Sequence, residues 1–275
     1  SDIDSELCQA FIERISRRPG LRGRKTISAN TIRKIAMHLQ FILDCAGPEV
    51  RRDRPTAGLL DSRPPYIMRP DKVDKPATDD FTLGEIGLWL EACKHARQTA
   101  NLMGIPAAKW WRALILFAYN TGLRIQSIMG AEWDMLDVYR PDWIVIPPEI
   151  YKGGKVGGRF FVNRQAREAA ESIRRPGQSR LFPWQGWPKS ASWLHVCRRE
   201  ILAHSQIPEH RRFGFHGLRK ALITWIAPKN AMIASMVAGH RRGNVTRDCY
   251  VNPGVVQELL SRVPQPRRER QRDLF

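Results

Sequence analysis

Apolar residues recur along most of this chain at the three- and four-residue spacing of amphipathic helices. Leu7, Phe11 and Ile15 share one face of such a run, and a capping-box pattern of Thr82 and Glu85 opens another. Helices are predicted over residues 5–16, 30–46, 82–96, 107–120, 164–174, 190–205, 217–227, 230–238, 245–251 and 254–263. The pattern therefore predicts a mainly helical protein.

Two short segments depart from the helical pattern. Residues 143–147 and 159–162 are rich in β-branched and aromatic residues, which is typical of strands. The stretch between them contains lysines and glycines, and it predicts a hairpin with a glycine-rich tip. The fold class predicted is mainly α with a small antiparallel β-sheet, in the α+β class.

Prolines and arginines divide the chain into parts. Residues 1–47 are predicted to form a small helical domain, and residues 48–77 a basic linker interrupted by prolines. Residues 78–263 form the main domain, and residues 264–275 a basic mobile tail. Two helices are few for a domain, and the chain begins with Ser1 rather than Met, so we expect the N-terminal domain to be truncated here.

The charge balance narrows the choice of partner. The 275 residues include 45 Lys and Arg against 27 Asp and Glu, a net charge of +18. Such an excess attracts polyanions, so nucleic acid is the leading partner and an anionic membrane the second. No apolar run approaches the about 20 residues that span a bilayer. The five cysteines are scattered without a CxxC pair, which favours reduced thiols in a cytoplasm.

The main domain contains an ordered series of polar motifs. They are Thr121-Gly-Leu-Arg124, Lys152 in the predicted hairpin, His216-Gly-Leu-Arg219, Gly239-His240 and Tyr250. His216 and Arg219 are three residues apart, so they share a face of a helix. Each motif alone is common, and a lone tyrosine is most often a half-buried core residue. Their order and spacing together are much less expected by chance.

This series resembles the tyrosine recombinases, the phage integrase family. The string TGLR, a lysine in a hairpin, HGLR, GH and a tyrosine ten residues later follow that family's order, and AGHRRGNVTRDCYVNP is similar to its last segment. The resemblance covers about residues 78–263. Residues 1–47 resemble, more weakly, the end of the family's helical core-binding domain, which is SAM-like.

The resemblance implies a six-residue catalytic site and a role for each member. Tyr250 would be the nucleophile, and two arginines would bind the scissile phosphate. A lysine would be the general acid, with Lys152 preferred and Lys155 the second candidate on the same turn. One histidine would assist proton transfer and the other would hydrogen-bond the phosphate. The implied set is Arg124, Lys152, His216, Arg219, His240 and Tyr250.

The chemistry of phosphoryl transfer independently suits these residue types. The pentavalent transition state gains negative charge on its non-bridging oxygens, and guanidinium groups offer paired, planar donors to them. A tyrosine hydroxyl has a reference pKa of about 10, so it needs cationic surroundings or a base to attack at neutral pH. The covalent phosphotyrosine conserves the energy of the broken bond. Rejoining therefore needs no ATP, and the resemblance implies a reaction without a metal or other cofactor.

One position departs from the family's pattern. The family commonly has an acidic residue three positions after the first arginine, and this chain has Ser127 there. A serine can still accept a hydrogen bond, but less strongly than a carboxylate. The departure concerns the support of Arg124 rather than the identity of the site.

The implied function is site-specific recombination of double-stranded DNA through a 3′-phosphotyrosine. We expect a two-domain clamp on the duplex, a homo-tetramer on paired sites, and a bacterial-type, nucleoid-associated location; a need for accessory proteins is left open. The helix at 254–263 resembles an element that docks on a neighbouring protomer, and the alternative is that it folds back on its own domain.

Other functions fit the sequence less well. A type IB topoisomerase shares the chemistry and is the enzymatic alternative, and a DNA-binding accessory factor without turnover is the other. A metal-dependent nuclease would cluster its carboxylates, and the histidines lack the short ligand pairs of structural zinc. Tryptophans such as Trp110, Trp111 and Trp184 could stack on bases, but such residues more often fill a core.

Overall fold

A computed structural model describes residues 3–19, 26–48, 57–73, 80–97, 102–136, 142–151, 157–239 and 252–266. The chain divides into two compact units, Ser1–Ala77 and Thr78–Phe275. Within the described residues, no helix is both long enough and apolar enough to cross a membrane.

The N-terminal unit contains two helices, α1 (Ser5–Ser16) and α2 (Ala29–Ala46), close to the bounds that periodicity predicts. Each begins where a polar side chain caps it: Asp4 accepts from the backbone N–H of Leu7, and Ser28 from that of Thr31. Their apolar faces form a small core that comprises Cys8, Ile12, Ile32, Ala36, Leu43 and Ile67.

The segment that the proline pattern describes as a linker lies, over residues 57–73, along α2. Its Ile67 is buried, and the backbone N–H of this residue donates to the Gln40 amide oxygen at 2.8 Å. Arg33 of α2 donates to the Pro70 carbonyl, also at 2.8 Å. These residues are therefore part of the N-terminal unit and supply one member of its core.

The larger unit is mainly helical with one two-stranded antiparallel sheet, which confirms the predicted fold class. Its elements are α3 (Leu83–Ala92), α4 (Ala107–Thr121), α5 (Ile125–Gly130), β1 (Trp143–Ile146), β2 (Gly158–Phe161), α6 (Arg164–Glu171), α7 (Ala191–Ala203), α8 (Phe215–Ile226), α9 (Ala231–Val237) and α10 (Pro253–Ser261). Helix α4 is central, since it packs against both α6 and α8. Trp110 and Trp111 of α4 are buried, as is Trp184, whose ring contacts that of Trp110. These tryptophans therefore fill the core and do not stack on bases.

The β-hairpin forms as the sequence predicts. Trp143 pairs with Phe161 and Ile146 with Gly158 in an antiparallel register. Gly157, the residue before β2, lies so close to the Ile146 carbonyl that a Cβ there would clash with the backbone. A short 3-10 turn, Pro148–Ile150, follows β1 and leads to Tyr151. The tip, residues 152–156, lies outside the described residues.

The structure differs from the predicted helices at one place, and one predicted helix lies outside its described residues. The structure contains α5, which spans six residues and is too short for a periodic pattern to reveal. The helix predicted at 245–251 lies outside the described residues.

The C-terminal helix α10 packs against its own unit. Val256 and Leu260 are buried in the main core. Asn163 donates to the Leu260 carbonyl at 3.1 Å, and Gln265 donates to the Asn120 side-chain oxygen at 2.7 Å. In this structure of a single chain, the helix folds back on its own domain.

Candidate active site

The turn between α4 and α5 places Arg124. Helix α4 ends at Gly122, whose φ of +61° is in the left-handed region, and the next helix begins directly after Arg124. A Cβ at Gly122 would lie 2.7 Å from Val237 Cγ1 and 3.0 Å from Leu222 Cδ2. Both the backbone angle and the close approach of α8 and α9 therefore require glycine here. The turn presents Arg124 as a half-buried residue at the start of α5.

Arg219 reaches the same turn from inside the unit. It lies on α8 with only 3% of its surface exposed, and its Nη1 donates to the Gly122 carbonyl. Its Nη2 is buried and has no hydrogen-bond partner among the described residues. One side of this guanidinium thus holds the turn that carries Arg124, and the other side offers an unused donor.

Gly239, the first residue of the Gly239-His240 motif, lies close to both arginines. It follows α9 with a φ of +57°, and its N–H donates to the Met236 carbonyl at 2.9 Å. Three polar atoms lie within 4 Å of the position that a Cβ would take: Tyr151 Oη, Arg124 Nη1 and Arg219 Nη2. Gly239, the residue before His240, therefore lies beside both guanidinium groups.

The electrostatics of this cluster favour an anion. Burial, and to a smaller extent the positive charge of Arg124, lower the pKa of Arg219 to about 10, while Tyr151 acts in the opposite direction. Arg219 is therefore still a cation at neutral pH. No carboxylate of the described residues forms an ion pair with either arginine. Two neighbouring cations without a counter-charge form a site suited to a phosphate.

His216 lies on the first turn of α8, exposed, three residues before Arg219. The shared helix places the histidine at the surface and the arginine in the interior of the same turn region. The structure thus brings Arg124 and Arg219 together around Gly239, with His216 at the start of the helix that carries Arg219.

Four candidate residues lie outside the described residues: Lys152, Lys155, His240 and Tyr250. The described residues beside them are informative, because Tyr151 precedes the lysine segment and Gly239 precedes the segment of His240 and Tyr250. Both of these residues lie at the arginine pair. The roles assigned to the four remain predictions.

Ser127 has a different role from the one its position suggests. It is buried, and its hydroxyl donates to the Ile150 carbonyl at 2.9 Å. Nearby on α5, a Cβ at Gly130 would lie 2.9 Å from Ile150 Cγ2, so helix and turn are tightly packed. Ser127 therefore attaches the base of the hairpin to α5 and does not act as an acceptor for Arg124.

Tyr151 is the residue of this cluster that sequence reasoning missed. Its only signal is that it precedes the predicted general acid Lys152. Its approach to Gly239 joins positions far apart in the chain, so no local pattern reveals it. Among the residues that the structure describes, no group of three or more His, Cys, Asp or Glu side chains is placed to hold a metal ion.

Comparison with known proteins agrees with this geometry. The model of the phage integrase family matches residues 91–254, more than half of the chain. This chain belongs to the phage integrase family. Membership makes it a tyrosine-type DNA strand transferase and confirms the resemblance found in the motifs. No protein of curated function matches the sequence significantly.

Solved structures of two recombinases are similar to this integrase-family chain in fold. A complex of the Tn1549 transposon integrase with circular intermediate DNA has 14% identity and a TM-score of 0.54, covering 95% of this chain and 86% of that one. XerH recombinase in a post-cleavage complex has 16% identity and a TM-score of 0.58, covering 94% and 70%. The pre-cleavage XerH complex has 15% identity and a TM-score of 0.56, covering 88% of this chain and 65% of the XerH chain.

Proposed function

We propose that this integrase-family protein exchanges DNA strands at specific sites, with Tyr250 as nucleophile and Arg124 and Arg219 as the phosphate clamp. One observation carries the assignment of the clamp. The two guanidinium groups converge beside Gly239, and the buried one keeps an unpartnered Nη2. A scissile phosphate in contact with both groups would supply the missing counter-charge and acceptor.

The clamp suits the charge that develops during the reaction. As the Tyr250 oxygen attacks phosphorus, the non-bridging oxygens gain negative charge, and donors already held in place stabilise it without reorganisation. Arg219 is held by its bond to the Gly122 carbonyl, and its buried position weakens screening by water. Arg124 reaches the same point from the α4–α5 turn.

The remaining steps are assigned to the other residues of the motif series. The bond from phosphorus to the 5′-oxygen breaks, and Lys152 donates the proton that this oxygen needs as it leaves. His216 assists removal of the tyrosine proton, and His240 donates to a phosphate oxygen. A 5′-hydroxyl of another strand then attacks the 3′-phosphotyrosine and releases Tyr250, so bonds are exchanged without net hydrolysis.

Duplex DNA is the proposed substrate. The net charge of +18 supports it, as do the DNA complexes of the Tn1549 integrase and XerH. Most of the affinity should come from phosphate contacts, and it should fall steeply with salt. A homo-tetramer on two paired sites is proposed as the working assembly.

A nicked suicide substrate tests the nucleophile. Cleavage near the nick releases a short strand and traps the covalent complex, which a denaturing gel separates from free protein. We expect wild-type protein to form the adduct, Tyr250→Phe to bind DNA without forming it, and Tyr66→Phe, at an exposed tyrosine of the N-terminal unit, to behave as wild type. A Tyr250→Phe protein that remains linked to DNA would show that another residue attacks.

The same assay separates site-specific exchange from topoisomerase activity. Recombination between two copies of a mapped adduct site supports the proposed function. Relaxation of supercoiled plasmids that lack such a site would favour the topoisomerase alternative instead.

A further inference from the structure

Tyr151 occupies the point where the hairpin base reaches the arginine pair. It is half-buried, and its hydroxyl oxygen is the closest side-chain atom to the Cβ position of Gly239. Arg124 Nη1 and Arg219 Nη2 surround the same position at 3.3 and 3.6 Å. The phenol oxygen is therefore a neighbour of both guanidinium groups and of the backbone that leads to His240.

The ring of Tyr151 also contacts the more exposed of the two arginines. The Arg124 Cζ lies 5.8 Å from the centre of the ring, within the range of a cation–π interaction. An arginine at the surface otherwise samples many rotamers, and contact with a fixed ring reduces that freedom. Tyr151 therefore restricts where the Arg124 guanidinium can lie.

Tyr151 can do this because its own backbone is fixed. Its N–H donates to the Pro148 carbonyl at 3.2 Å, and its ring packs against Phe160 of β2 at a centroid distance of 5.8 Å. The preceding residue, Ile150, accepts the hydrogen bond of Ser127. Helix α5, whose N-cap residue is Arg124, thus also holds the turn that carries Tyr151.

We propose that Tyr151 is a positioning residue that holds Arg124 in the orientation that binds the scissile phosphate. Ser127 supports it by attaching the hairpin base to α5, in place of a direct contact with the arginine. This inference rests on the proposed function, because it assigns Arg124 to the phosphate.

The substitution Tyr151→Phe tests the hydroxyl, which lies at the arginine pair, while keeping the ring and the packing; Tyr151→Leu removes the ring as well. In single-turnover cleavage of the suicide substrate at saturating DNA, we expect the rate to fall about tenfold, the size of one interaction with a charged group. DNA affinity should change less than about twofold, since one of many phosphate contacts is affected. Tyr66→Phe, the matched control, should cleave at the wild-type rate.

A double-substitution cycle distinguishes positioning from an independent effect. If Tyr151 acts through Arg124, adding Tyr151→Phe to Arg124→Ala should slow the residual cleavage less than about twofold. Ser127→Ala should show the same dependence on Arg124 with a smaller loss. Equal tenfold losses in both backgrounds would overturn the inference, as would wild-type cleavage rates in both Tyr151→Phe and Tyr151→Leu, since the second substitution also removes the ring.

Two further measurements, the melting temperature of the variant and adduct formation by wild-type protein, decide how a loss of rate is interpreted. The melting temperature of Tyr151→Phe should match that of wild type, and a drop that accounts for the lost rate would overturn the positioning role. If wild-type protein forms no covalent adduct, the proposed function fails together with this inference. If wild type forms the adduct and the cycle shows no coupling, the inference alone fails.

Discussion

The two arginines of the candidate clamp place their guanidinium groups at the same point, but their surroundings differ greatly. Arg219 lies inside α8, 3% exposed, with one nitrogen bonded to the Gly122 carbonyl. Arg124 stands half-buried at the start of α5, beside the ring of Tyr151. Burial lowers the pKa of Arg219 to about 10, whereas Arg124 keeps contact with water.

The difference shows two ways to orient a cation. Arg219 is oriented by the fold itself, since a buried side chain has few alternative rotamers, and the cost is a charge held away from water without a counter-charge among the described residues. Arg124 has a lower desolvation cost but needs a neighbour to orient it. Removing each arginine should therefore affect activity and stability in different proportions.

Arg219→Met should have the largest effect on activity. We expect single-turnover cleavage to fall on the order of 10³-fold, because a preorganised donor to the transition state is lost. The free energy of unfolding should change little, since replacing an uncompensated buried charge with an apolar side chain of similar length offsets the loss of the hydrogen bond to the Gly122 carbonyl. Denaturant titration checks this, and a loss above about 2 kcal/mol would show that Arg219 is mainly structural.

Arg124→Met should have the second largest effect and only on the reaction. We expect cleavage to fall on the order of 10²-fold with a modest loss of DNA affinity, because the arginine acts mainly in the transition state. The free energy of unfolding should stay within about 0.5 kcal/mol of wild type, as for most surface changes. A loss of affinity as large as the loss of rate would contradict this role.

Gly122→Ala should affect both arginines through the turn that they share. An alanine at positive φ costs about 1–2 kcal/mol, and its Cβ would press on Val237 and Leu222. Displacing the turn should slow cleavage about tenfold, because reaction rates depend steeply on alignment.

Gly177→Ala is the matched control for that substitution. Gly177 has a φ of +72° and open space around its Cβ position, so it adds the backbone strain without the crowding. We expect a similar or smaller loss of stability and an unchanged cleavage rate. Equal rate losses in the two variants would mean that the turn does not position the arginines.

Much of the fold follows from local patterns. Helices α1 and α2 form close to their predicted bounds because apolar residues repeat and polar caps precede them. Helix α5 was missed because six residues are too few to show a period. The segment at 57–73 has the prolines of a linker, yet Ile67 docks on α2, a contact that no local composition encodes.

For the site, the motif order predicted Arg124, His216 and Arg219, and the structure places both arginines at one point. Ser127 shows the limit of that reasoning. Its position suggested an acceptor for Arg124, but burial beside the hairpin base makes it a donor to the Ile150 carbonyl. The catalytic roles of all six motif residues remain predictions, and Lys152, His240 and Tyr250 also lie outside the described residues.

The sequence by itself determined the residue types of the site, their order and the family to which the chain belongs, because these depend on side-chain chemistry and spacing along the chain. Only the tertiary structure decided that Arg219 is the buried member, that Gly239 lies beside both arginines, and that Tyr151 reaches the same point. The physical reason is that burial and close approach arise from packing between distant segments, which local spacing does not specify.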